Sequence, residues 1–405
     1  MLSGEEGAAL RLSRKTFAQG KDTPMHTILS GIDQLDTVSA LLRGKRLGLM
    51  TNQTGIDSRF RSTIDLLHAR FRLTALFAVE HGIRGNVQAG EAYQTQPDEA
   101  TGVPVYAVYG RTHRLTKEML DTFDVFCFDM QDVGARFYTY LYALSLAMEE
   151  CAKAGKPVVV FDRLNPLGGQ IIEGPVLDER LASYVGLYAL PTRFALTMGE
   201  YARWVRHHLK LDTLELTVVP LKGWRRQDLL GDIRIPWVAP SPNCPTFHAA
   251  LAYVGTCIFE GTNISEGRGT TLPFEYIGAP WIDAPALEKR MAAHRLPGLY
   301  FRAASFTPTF SKYAGEPCRG VQVHVTSPQK ARVVEGALIL LDEIRALHPD
   351  RVTWITLDQK SYTIDKLLGT DQYRLGQYDG PSLIAAHAPA RQAFRQEREP
   401  FLLYD

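Results

Sequence analysis

The chain has no surplus of either charge. Lysine and arginine number 45 against 44 aspartates and glutamates, a formal net charge of +1. A protein built to grip nucleic acid or an anionic membrane surface carries a basic excess, so neither partner is expected. Long apolar runs are missing too. None reaches the roughly 18–20 residues of a membrane span, so no span is expected. Cysteine is scarce: Cys127, Cys151, Cys244, Cys257 and Cys318 are scattered and form no Cys-x-x-Cys pair. That argues against a disulfide framework and against structural zinc. Cys127 lies in the apolar run 125–128, which suits a packed thiol better than a nucleophile. There is no G-x-S-x-G elbow, no H-E-x-x-H, and no G-x-G-x-x-G after the first strand. Standard α/β-hydrolase, zinc-peptidase and dinucleotide-binding readings therefore lose their main support. No metal and no cofactor is called for.

What is present is an ordinary folded chain. Its 405 residues are 45% hydrophobic and 22% charged, enough for two or three domains and too apolar for extended disorder. Residues 1–24 lack the apolar core of a signal peptide. The first 30 residues are expected to be a mobile leader, with Met25 a second candidate start.

From residue 45 onward, short apolar runs alternate with helical spacing. Strands are expected at 45–50, 73–79, 103–108, 125–129 and 157–161, and helices at 58–70, 115–121 and 138–154. Phe60, Ile64, Leu66 and Leu67 fall near one face of the first helix. Near-continuous apolar strands separated by helices imply a parallel sheet covered on both faces, in an α/β fold. Later come a helix at 197–209, a strand at 214–221 and a proline-rich boundary at 235–245. An apolar helix at 246–259, strands at 299–305 and 320–325, and helices at 330–347 and 381–398 make a second, smaller α/β unit. The division is thus 31–240 and 241–405.

Ligands of open parallel sheets bind outside the carboxyl ends of the strands. Four strand ends here run into polar clusters: Thr51-Asn52-Gln53-Thr54-Gly55, Glu80-His81-Gly82, Asp129-Met130-Gln131-Asp132 with Arg136, and Asp162-Arg163-Leu164-Asn165. Glu80 follows an apolar strand. Partial desolvation there would raise its pKa toward that of a general acid; the plainer alternative is a carboxylate paired with His81 or an arginine. Asp129 and Asp132 resemble a weak metal pair, but an ion pair with Arg136 is the better account. In Asn263-Ile264-Ser265-Glu266-Gly267-Arg268-Gly269, two glycines allow close backbone approach and an arginine offers a fork for a carboxylate. It is either a binding loop or a tight turn with a surface arginine, and its polar density favours binding. Pro240-Ser241-Pro242-Asn243 is a rigid turn or an amide presented to a sugar. In Phe310-Ser311-Lys312-Tyr313-Ala314-Gly315, Tyr313 suits the core and Lys312 the cleft.

Taken in order, these segments resemble the exo-β-N-acetylmuramidases of the NamZ and YbbC type. The likeness extends to Gln131-Asp132-Val133-Gly134-Ala135-Arg136-Phe137-Tyr138-Thr139-Tyr140, Asp162-Arg163-Leu164-Asn165-Pro166-Leu167-Gly168-Gly169, Glu173-Gly174-Pro175 and Glu260-Gly261-Thr262. It runs from about residue 31 to the C-terminus. The resemblance implies a Rossmann-like first domain, a smaller C-terminal α/β domain and a cleft between them. It also implies a glycoside hydrolase that removes N-acetylmuramic acid from the non-reducing end of peptidoglycan fragments, with Glu80 as general acid. Asp132, Glu173 or Glu266 is then the second carboxylate. Arg136, Arg268 and Lys312 are candidates for the lactyl carboxylate. Asn52, Asn243 and Asn263 are candidates for hydroxyl and acetamido groups, with His81, Tyr138 and Glu173 as further substrate contacts. Such a substrate implies a periplasmic or secreted site, and the absence of an export signal leaves the cytoplasm open. One departure stands out. The resemblance predicts a histidine after Arg193, where this chain has Phe194. The competing readings are a sugar-binding protein without turnover and a hydrolase of another acidic glycan.

Overall fold

The structure, a computed structural model, describes residues 27–80, 82–85, 96–110, 112–233, 235, 237–356 and 360–405. Five strands come first: β1 (Arg46–Thr51), β2 (Arg72–Ala78), β3 (Val105–Ala107), β4 (Val125–Asp129) and β5 (Val158–Phe161). A two-stranded ribbon follows, β6 (Glu173–Val176) with β7 (Pro191–Arg193), and then β8 (Leu216–Val219). β1 to β5 and β8 form one parallel sheet in the order β3-β2-β1-β4-β5-β8. The expected strand at 214–221 is therefore this sheet's sixth.

Both faces are packed, as period-two alternation along a doubly covered strand requires. On β4, Val125 and Cys127 pack with Leu47, Leu49, Ile64 and Leu67, while Phe126 and Phe128 join Phe77, Phe123 and Tyr140 on the other face. The second unit carries β9 (Tyr276–Ala279), β10 (Leu299–Phe306) and β11 (Cys318–Val325), antiparallel in the order β10-β11-β9. Its core is the helix Phe247–Thr256 against the helix Val333–Leu347. They approach so closely that a Cβ on Gly255 would lie 2.3 Å from the Val333 carbonyl oxygen. No helix among the described residues is long and apolar enough to cross a membrane. The chain end returns to the first sheet, where the Tyr404 hydroxyl accepts from Leu221 N at 2.8 Å and donates to Asp162.

Two local expectations are corrected, and one element was not foreseen. The helix expected at 58–70 begins only at Thr63. Ser62 caps it, accepting from Asp65 N at 3.0 Å, and Asp57 holds the preceding turn through the amides of Arg59 and Arg61. Phe60 therefore lies outside it, at φ 63° and 67% exposed. The helix expected at 381–398 is two, Gly380–Ala386 and Ala388–Arg398. Pro389 has no N–H for the Ala385 carbonyl, and its ring clashes with that turn. β9 was not anticipated.

Candidate active site

The strand order reverses between β1 and β4, which opens a crevice at their carboxyl ends. The loop after β1 is closed by its own side chains. Asn52 Oδ1 accepts from Thr54 N at 3.0 Å and from Thr54 Oγ1 at 2.6 Å. Thr54 Oγ1 in turn accepts from Gln131 N at 2.8 Å, stitching this loop to the one after β4. Asn52 is buried, and its Nδ2 has no partner among the described residues.

After β4, Asp129 is bound by Arg163 and by the Thr63 hydroxyl. The expected pairing of Asp129 and Asp132 with Arg136 is corrected. Arg136 is fully buried and turns to the end of the helix Thr363–Leu368, donating to the carbonyls of Lys366 and Leu367 at 3.3 and 2.7 Å. Those last-turn carbonyls have no helical partner, so a cation is well placed there. Burial pushes the Arg136 guanidinium down to about 10. Asp132 remains at the crevice. Its Oδ1 accepts from Gly134 N at 2.7 Å, and its Oδ2 has no partner among the described residues. Gly134 sits at φ 79°, where a Cβ would meet Asn165 Oδ1 at 2.3 Å, so this turn requires glycine. Burial pushes the Asp132 carboxyl up to about 7, against the pull of the Gly134 and Val133 amides.

Glu80 stands just past β2. The Tyr109 hydroxyl donates to its Oε1 at 3.0 Å, and Thr139 Oγ1 lies 3.5 Å from its Oε2. It opens onto a small cavity that also takes in Tyr138 and Thr139 from the first unit, and Asn243 and Arg268 from beyond residue 240. Apolar surface comes from Tyr253, edge-on to Phe137 at 5.2 Å and to Phe274 at 4.7 Å. The Tyr138 hydroxyl is buried without a partner among the described residues, and its ring meets that of Tyr140 at 4.8 Å. The negative charges of Glu80 and Asp132 both act on the buried Tyr140 hydroxyl, adding to the burial that raises it.

Arg268 is held in place by charge. Its Nη2 lies 2.5 Å from Glu260 Oε1, its Nε 3.3 Å from Glu266 Oε1, and its guanidinium 5.1 Å over the Phe274 ring. Lys312 Nζ binds Glu266 Oε2 at 2.9 Å and the carbonyls of Phe259 and Ile264 at 2.8 and 3.1 Å. Glu266 and Lys312 therefore sit behind Arg268 rather than in the cavity wall.

Among the sequence candidates, the structure gathers Glu80, Tyr138, Asn243 and Arg268 at the cavity, Asn52 and Asp132 at the crevice, and Glu266 with Lys312 behind Arg268. It takes three elsewhere. Besides Arg136, Glu173 Oε1 accepts from Val334 N at 2.7 Å and Glu335 N at 3.2 Å, capping a helix start, because the first amides of a helix need an acceptor. Asn263 braces a loop, donating to the Arg351 carbonyl at 2.8 Å and accepting from Thr353 N at 2.9 Å. His81 lies outside the described residues. Phe194 is buried in the core near Tyr201 and does not line the cavity. Sequence reasoning missed Tyr109, Thr139 and Glu260. Tyr109 carried a usable signal, since it follows the expected strand 103–108 as Glu80 follows its own.

Two family descriptions match. The N-terminal domain of exo-beta-N-acetylmuramidase NamZ matches residues 47–248, and its C-terminal domain matches residues 251–404. The chain is 44% identical over 383 residues to the peptidoglycan beta-N-acetylmuramidase NamZ of Bacillus subtilis (strain 168), covering 93% of this chain and 91% of that protein. Crystal structures of two DUF1343 family proteins from Bacteroides fragilis NCTC 9343 share the fold. One has a TM-score of 0.85 and 34% identity over 94% of this chain and 100% of its own. The other has a TM-score of 0.76 and 28% identity over 94% and 99%. On these matches, the chain belongs to the exo-β-N-acetylmuramidase NamZ family.

Proposed function

We propose that this protein is a glycosidase that releases N-acetylmuramic acid from the non-reducing end of peptidoglycan fragments, with Glu80 as the general acid. One observation carries the reading: Glu80 and Arg268, brought from distant parts of the chain, open onto the same cavity. The substrate asks for that pair. Cleavage of its glycosidic bond needs a proton for the leaving oxygen, and its lactyl carboxylate needs a cation. Family membership supports the same activity.

Tyr109 and Thr139 orient the two oxygens of Glu80. Asp132 serves as the second carboxylate: it stands at the crevice with an unpaired oxygen, whereas Glu173, whose Oε2 is also unpaired, caps a helix start away from the cavity and Glu266 is committed to Lys312 and Arg268. Arg268 receives the lactyl carboxylate, while Asn243 and Tyr138 meet the polar groups of the sugar. No step calls for a cofactor.

The test is release of free N-acetylmuramic acid from MurNAc-β-1,4-GlcNAc by the wild type and by Glu80→Gln. Loss of a positioned general acid costs about 10²–10⁴ in rate. If folded wild-type protein binds the disaccharide without cleaving it, the protein is a sugar-binding module. If Glu80→Gln keeps most of the rate on a substrate with a poor leaving group, the acid is another residue.

A further inference from the structure

His113 stands near Glu80 without a part in this scheme. Its imidazole lies flat on the Tyr184 ring, with centroids 3.7 Å apart and planes 18° from parallel. It also meets the Tyr109 ring edge-on at 5.7 Å, and Tyr109 and Tyr184 are themselves 6.2 Å apart. The three rings form one cluster that ends in the hydroxyl on Glu80. His113 Nδ1 is buried with no partner among the described residues, so a hydrogen bond from that atom does not account for the ring's position.

Burial, not charge, favours a neutral imidazole. Burial holds the His113 ring below its usual value, opposed only by the charge of Glu80. Tyr109 and Tyr184 are raised by burial and stay protonated. The adjacent Arg114 is turned away to Glu149 and Glu150, at 3.0 and 2.8 Å. Across the cavity, Arg268 is committed to Glu260 and Glu266. A cation beside Glu80 would favour its ionised form and work against an acid. A neutral ring stiffens Tyr109 without that cost.

We propose that His113 is a positioning residue of the acid, clamping the Tyr109 ring so that its hydroxyl holds Glu80 in place. The proposal rests on the reading of Glu80 given above. His113→Ala removes the clamp and is expected to lower kcat about ten- to a hundredfold, with KM for MurNAc-β-1,4-GlcNAc nearly unchanged. His113→Phe restores a ring without nitrogens and recovers most of the lost kcat. An unchanged kcat in folded His113→Ala, or no recovery in His113→Phe, overturns the proposal. Should His113→Ala not fold, NMR titration of the imidazole in wild type and Glu80→Gln decides. Loss of the carboxylate is expected to move the His113 midpoint downward, and an unmoved midpoint overturns the proposal. The acid reading fails separately, if Glu80→Gln retains the wild-type rate.

Discussion

Arg268→Lys separates recognition of the lactyl carboxylate from everything else the cavity does. Two guanidinium nitrogens are committed to the protein, Nη2 to Glu260 and Nε to Glu266, and Nη1 has no partner among the described residues. A lysine keeps the positive charge facing two carboxylates. The fold is thereby spared the unpaired buried charge that alanine would leave, a cost of about 3–5 kcal/mol. What lysine loses is the planar fork that engages both glutamates and still presents a donor to the ligand. A hydrogen bond to a charged group contributes about 1.5–3 kcal/mol, which at about 1.4 kcal/mol per decade is roughly 10- to 150-fold. That factor should appear in kcat/KM for MurNAc-β-1,4-GlcNAc and not for GlcNAc-β-1,4-GlcNAc, which has no lactyl group. The readout is the ratio of kcat/KM for the two disaccharides, in wild type and variant, with Tm as the control for folding. If both substrates slow by the same factor, Arg268 does not read the lactyl carboxylate and the reasoning is refuted.

Asp132 makes stability depend on pH. Its carboxyl is raised from 3.8 to about 7, so the native state holds a proton that the unfolded chain has released. The resulting stabilisation is complete below about pH 4, falls by about 1.4 kcal/mol per pH unit through the window, and is gone above about pH 7. Asp132→Asn does not ionise there, so its stability relative to wild type should improve by on the order of 2 kcal/mol between pH 5 and pH 7.5 in urea unfolding; a constant difference would contradict this. Arg136→Met leaves the Lys366 and Leu367 carbonyls without their donor and should cost about 1–3 kcal/mol, read as a lower Tm with KM unchanged. Phe194→His places a polar ring in the core and should destabilise by about 1–3 kcal/mol without altering the preference for the muramic disaccharide; a changed preference would connect this position to the cavity.

The strands of the first sheet were legible because each is a local event. A short apolar run flanked by turn residues has few ways to bury itself, and Val125–Asp129 shows that pattern without reference to the rest of the chain. The helix expected at 381–398 shows the limit of this logic, since apolar spacing says nothing of a backbone bond that Pro389 does not make. Phe60 illustrates the same point: its spacing suits the helical face, while the Asp57 turn and the Ser62 cap exclude it from the helix.

In the site, residue order alone located the loops. Glu80 was named from a polar cluster at a strand end, Arg268 from the glycine-rich segment, Asn243 from a proline-rich turn and Tyr138 from the family resemblance, and all four line the cavity. Partners were another matter. Arg136 and Arg268 are equally plausible as ligands on paper. One spends its donors on carbonyls some 230 residues away, while the other is braced by Glu260, eight residues before it, and faces the cavity. Tyr109, 29 residues after Glu80, became its partner only because β2 and β3 lie side by side. Local pattern settles which segments become strands and where polar loops cluster, because backbone propensity and apolar periodicity act over a few residues. Which charges face each other, which carboxyl keeps an unpaired oxygen and which arginine is free to meet a ligand depend on contacts between distant segments, and only packing in three dimensions decides them.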